Sequence, residues 1–140
     1  MNTLRTLVLS LALVSSAAFA GERQALETYL SPAPSLMPIL VKQTGELDLT
    51  AEQQAKFADW RKTAQPGRAK LEKEIAAGRL AINQAMLDGK NNNEVQKLVR
   101  DVQRKEIKLV VGKLACRDNA KKVLTPEQWS KLIALYQAQL

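Results

Sequence analysis

The chain has no histidine and a single cysteine, Cys116, in 140 residues. Without imidazole it lacks the usual general base at neutral pH and the commonest ligand for transition metals. One thiol excludes an intrachain disulfide. Cys116 stands on an apolar helical face, which predicts a buried thiol; in an oxidising compartment pairing between chains is the other outcome. Aromatic residues are scarce, with two Trp, two Tyr and two Phe, too few for the stacking platforms that hold single-stranded nucleic acid. Beyond residue 20 the serines are Ser31, Ser35 and Ser130, and the glycines form no phosphate loop. Glu72 and Glu74 stand two apart on a helix and so do not face one another. No nucleophile–base pair can be assembled, so the sequence predicts no enzyme and no cofactor. Strand-like alternation is absent throughout, and past residue 20 no apolar run reaches membrane-spanning length.

What is present begins with an export signal. Met1 to Arg5 carries one positive charge, an apolar run follows, and Ala18-Phe19-Ala20 is a small-x-small cleavage site. This pattern predicts a signal peptide over 1–20, cleaved after Ala20, and hence residence in the periplasm without stable membrane insertion. Removing it takes away Arg5 and no acid, which leaves a net charge of +6. The charge is uneven. Residues 21–59 sum to −3, whereas 97–122 hold nine basic groups against Asp101, Glu106 and Asp118, a net of +6. A basic stripe is either a solvated helix face or a surface for an acidic partner. Export argues against nucleic acid as that partner.

Along the chain, residues 21–34 read as an arm that is briefly helical and then broken by Ser31-Pro32-Ala33-Pro34. Ser35 is placed to cap a short helix from Leu36 to Val41. Thr50 opens a long helix to about Asp88, in which Phe57, Trp60, Ala64, Leu71, Ile75, Gly78, Ile82 and Met86 keep one face. That phase survives Gln65-Pro66-Gly67, so the helix is expected to kink there without breaking. Gly89 and Lys90 to Asn93 form the clearest turn. A second long helix is expected from about Glu94 to Lys122. Its stripe of Val95, Leu98, Val102, Leu109, Cys116 and Val123 is widened by Val99, Ile107, Val110, Val111 and Leu114. A face that broad predicts two contacts, one with the hairpin partner and one with a second chain in a two-fold dimer. Thr125 opens the last helix, with Trp129, Leu132, Ile133 and Tyr136 on one side. The fold class is all-α: a long helical hairpin with short flanking helices over residues 35–140.

One phrase occurs twice. Leu49-Thr50-Ala51-Glu52-Gln53 and Leu124-Thr125-Pro126-Glu127-Gln128 lie 75 positions apart. Each is a capping box: the Thr hydroxyl accepts from the backbone N–H three residues on, and the Gln side chain accepts from the N–H of the Thr. Glu52 and Glu127 place a carboxylate in the first turn, where the helix dipole favours it. At the second site Pro126 takes the first helical position, and Leu124 stands in staple relation to Trp129. At the first site Gln54 occupies the staple position. Leu49, Thr50, Gln53, Leu124, Thr125 and Gln128 are thus expected to be structural caps.

Two such phrases flanking a long hairpin, behind an export signal, resemble the LTxxQ-motif family, the Spy- and CpxP-like periplasmic proteins. The resemblance runs from about Ser35 to Leu140. It implies a cradle-like antiparallel dimer in the envelope of a Gram-negative bacterium. Family members act as ATP-independent chaperones, as adaptors that damp a sensor kinase, or as metal-responsive proteins. The zinc-resistance and heavy-metal-sensing members, similar in helical layout, rely on His-rich ligand sets, and this chain has none. That departure favours the chaperone branch, with unfolded or misfolded periplasmic proteins as partners and a sensor kinase domain as the other candidate. A metal held by Cys116 at a dimer axis, or by acids of the arm, stays open. Capture of unfolded chains needs apolar patches among mobile charges. Arg61, Arg68, Arg79, Arg100, Arg104, Lys108 and Arg117 suit that role as a set. Each taken singly also fits a solvated position with an i,i+4 partner, as in the expected pairs Asp101–Lys105 and Glu127–Lys131.

Overall fold

A computed structural model describes residues 33–139; the expected signal peptide and nearly all of the arm lie outside the described residues. The described chain is all helical, with α1 at Met37–Lys42, α2 at Ala51–Leu87, α3 at Asn92–Val123 and α4 at Pro126–Gln137. The two long helices pack as an antiparallel hairpin, and the short ones gather at its open end.

Each boundary has a local cause. Helix α2 runs 37 residues, about 55 Å at ~1.5 Å per residue. Pro66 lies inside it without ending it. At its C-terminus Lys90 N–H donates to the Ala85 carbonyl (2.9 Å) and Gly89 N–H to that of Met86 (3.2 Å). This closure requires a left-handed residue after the helix cap, and Gly89 supplies it at φ 68°. Helix α3 then starts on Asn91, whose side chain accepts from Glu94 N–H at 3.1 Å. The start of α1 departs from expectation. Leu36 takes the cap position with no side-chain hydrogen bond, because the Ser35 hydroxyl is turned to Arg68 Nη2 at 3.4 Å.

The core is in two parts. At the open end Leu36, Ile39, Leu40, Leu47, Leu49, Phe57, Ala120, Leu124 and Leu132 are buried together, with Trp129 packed against them. Along the shaft a thinner seam of Ile75, Val102 and Leu109 is flanked by Leu71 and Ile82. Gly78 lets α3 approach closely: a Cβ there would lie 2.5 Å from Val102 Cγ2. The seam drifts off the expected face at its far end. Ala85 is buried, while Met86, like Ala64, is exposed, since a 3.6-residue period moves the contact from i+4 to i+3.

The wide stripe of α3 divides in the same way. Val102 and Leu109 are buried against the hairpin, and Val95, Leu98, Val99, Val110, Cys116 and Val123 are half-buried. Ile107, Val111 and Leu114 stay exposed, as do Leu80, Met86 and Leu87 of α2.

Charged partners also differ from the expected local pairs. Lys105 reaches across to Glu74 at 3.4 Å, and Asp101 takes Arg104 instead. Lys131 pairs with Asp48, not Glu127. In both cases tertiary packing brings a carboxylate of another segment nearer to the ammonium than the one a turn away.

Candidate functional site

The two repeated phrases meet. Thr50 and Thr125 both hold extended backbone and cap their helices as expected: Gln53 N–H donates to Thr50 Oγ1 and Gln128 N–H to Thr125 Oγ1, each at 3.2 Å. Gln53 Oε1 accepts from Thr50 N–H and Gln128 Oε1 from Thr125 N–H, each at 3.0 Å. Each carboxamide then reaches the other. Gln53 Nε2 donates to Gln128 Oε1 at 2.9 Å, and Gln128 Nε2 donates to Gln53 Oε1 at 3.1 Å. The remaining donors go to backbone carbonyls two residues before the opposite Thr. Gln53 Nε2 donates to Val123 O (2.9 Å) and Gln128 Nε2 to Asp48 O (3.0 Å).

A primary amide has two N–H donors and two acceptor lone pairs, and here all four are used on both residues. The arrangement has local two-fold symmetry between segments of one chain. Asp48 completes it from one side. Its φ of 51° is left-handed, a conformation Asp tolerates better than most residues, and its carboxylate pairs with Lys131 of α4. Leu49 and Leu124 are buried beneath, 7% and 8% exposed. The staple expected at the second phrase is present in the same apolar cluster. At the first, Gln54 Nε2 instead donates to the Leu49 carbonyl at 2.9 Å. The sequence signal for this junction was the repeat itself; capping chemistry explained each copy alone and missed their contact.

The basic residues do not converge. Arg68 is half-buried against Glu72 at 2.7 Å and also touches Ser35. Arg79 crosses the hairpin to Glu106 at 2.5 Å. With side chains 27% exposed, both tie the scaffold together. Arg61 contacts Gln65 at 3.1 Å and Arg100 contacts Gln96 at 3.5 Å, both in the open. Arg104 lies on Asp101 and Arg117 on the adjacent Asp118. Arg100, Arg104, Lys108 and Arg117 are all exposed on α3, beside Ile107, Val111 and Leu114. Lys121, further along, sits over the Trp129 ring at 5.1 Å, a cation–π contact that binds α3 to α4.

Cys116 is half-buried. Burial pushes its thiol up from the usual range, against smaller opposing effects from Arg68, the Trp60 side chain and the Met37 backbone. Burial of this kind disfavours the thiolate, which is the nucleophilic form. Among the described residues no group of three or more Cys, Asp or Glu side chains is placed to hold a metal ion, and no helix is long and apolar enough to cross a membrane.

Neither a curated protein nor a solved structure matches the chain. A sequence model described as the LTXXQ motif family protein matches residues 40–136. That span takes in both phrases and all four helices except residues 37–39 of α1 and Gln137 of α4, so the chain belongs to the LTXXQ motif family.

Proposed function

We propose that the chain is exported to the periplasm and works there as an ATP-independent, chaperone-like protein. It holds unfolded or stressed envelope proteins, without catalysis. The observation that carries this reading is the apolar surface left uncovered on both long helices, Leu80, Met86 and Leu87 on α2 and Ile107, Val111 and Leu114 on α3. Cations lie among these residues. Loose binding of exposed apolar side chains needs such patches, and nearby charge speeds encounter. In this reading Arg61, Arg100, Arg104, Lys108 and Arg117 face the client, whereas Arg79 bridges the hairpin and Arg68 ties α2 to Ser35.

Family membership supports the same class of role. The reading has two hairpins pair antiparallel about a two-fold axis into a cradle, which covers part of the apolar surface. Sedimentation equilibrium of residues 21–140 should then give twice the chain mass.

The deciding experiment is aggregation of a denatured model protein, followed by light scattering with and without the protein. Stoichiometric suppression without ATP is expected. Unchanged scattering overturns the reading and favours the second one, an adaptor docking on a sensor kinase domain, for which the same basic surface would serve. Capture should also slow as salt rises, because the screening length falls from ~10 Å at ~0.1 M to ~3 Å at ~1 M.

A further inference from the structure

The outer face of α3 joins an exposed apolar row to a run of cations that extends beyond it along the helix. Ile107, Val111 and Leu114 are 63%, 57% and 40% exposed. At about 100° per residue they fall within roughly 60° of one another around the helix, in a row parallel to its axis. Lys97, Arg100, Arg104, Lys108 and Lys122 are also exposed and lie within about 60° of Val111 on that wheel. They continue the row towards both ends of the helix and border it along one side.

Acids are nearly missing from this face. Asp118 is already held by Arg117. Asp101 is turned to Arg104, and Glu106 to Arg79. Glu94 caps the helix start with Asn91.

We propose that this face docks the protein on an anionic phospholipid surface, with α3 lying in the plane of the headgroups. Three arguments select that occupant. The face is the outer side of one long helix, which can lie along a plane but cannot enclose an extended peptide. Its charge complements phosphate. A second copy laid antiparallel on the same face would bring Arg100 towards Lys122 and offer only the Asp118 carboxylate against these cations. Finally, an apolar row bordered by Lys and Arg is the pattern of interfacial helices: the aliphatic groups enter the acyl boundary, and the long cationic side chains reach the phosphates. Each cation near an anionic surface adds to the attraction, which salt screens.

The inference does not depend on chaperone activity, and its test reads lipid alone. The full mature chain is mixed with vesicles of phosphatidylglycerol and phosphatidylcholine, or of phosphatidylcholine only, and floated on a density gradient. The expected result is flotation with the anionic vesicles, at least tenfold weaker with the zwitterionic ones, and release at high salt. Ile107→Ser/Val111→Ser should lower anionic binding at least tenfold while circular dichroism stays native, as should Arg100→Glu/Lys108→Glu. Absence from the anionic vesicle fraction overturns the proposal, and so does binding that either double variant leaves intact. If Ile107→Ser/Val111→Ser instead halves the mass in sedimentation and spares flotation, the row belongs to a second copy. If that variant loses only suppression of aggregation, the row belongs to the client, and the lipid proposal fails while the chaperone reading stands.

Discussion

Gln53 and Gln128, 75 residues apart in sequence, exchange two amide hydrogen bonds at 2.9 and 3.1 Å. Each also accepts from the backbone of its own helix start and donates to the backbone of the other's. The pair therefore joins the start of α2, the end of α3 and the start of α4, where the chain comes back to the base of its own hairpin.

The first prediction follows from that coupling. Removing either amide strands donors and acceptors on the other in a half-buried setting, so Gln53→Ala and Gln128→Ala should each cost about 1–3 kcal/mol. Because they share partners, the double variant should cost less than the two singles together, by about 0.5–3 kcal/mol. Urea unfolding of the four proteins in the cycle measures this. Additive losses would mean that the two caps act independently.

Thr125→Ala removes a cap hydroxyl that faces the helix and not the basic surface of α3. The expected loss is about 0.5–2 kcal/mol, with suppression of aggregation per folded molecule unchanged. A fully folded variant that no longer suppressed aggregation would give the motif a direct part in binding.

Gly78→Ala places a methyl carbon 2.5 Å from Val102 Cγ2. Helix propensity favours the change by up to about 1 kcal/mol, but overpacking costs about 1–3 kcal/mol, so net destabilisation is expected. Gly78→Ala/Val102→Ala should relieve the clash and recover part of the loss, which thermal unfolding by circular dichroism will show. Gly78→Ala alone matching the parent would mean that the shaft separates freely.

The raised Cys116 thiol sets a pH dependence. Its neutral form is favoured in the fold, so its contribution is complete below the ordinary thiol value and is lost as pH rises through the folded one. Stability should fall more steeply across that range in the parent than in Cys116→Ala, as read from urea midpoints at neutral and alkaline pH. At neutral pH iodoacetamide should modify the folded protein at least tenfold more slowly than the denatured one. Equal rates would show a reactive, accessible thiol.

Much of the fold was legible residue by residue. The capping boxes placed the starts of α2 and α4, Gly89 placed the turn, and the apolar period ran through Pro66, because these signals depend on a few neighbouring residues and fixed helical geometry. The glycine at position 78 was read as part of the buried face, and it faces Val102 of α3 with no room for a Cβ.

Only the tertiary structure decided which groups meet across segments. It turned Ser35 from a cap into a partner of Arg68, moved Lys105 to Glu74 and Lys131 to Asp48, and left Met86 outside the seam. It also divided the broad stripe of α3 into a hairpin side and an uncovered row at Ile107, Val111 and Leu114. Helical spacing defines a face but not what lies opposite, since that depends on the crossing of two helices tens of residues apart. The repeat of L-T-x-x-Q was visible from the start. That its two glutamines bind each other was not, because a cap is satisfied locally and its spare hydrogen-bonding groups find partners only when the chain has closed.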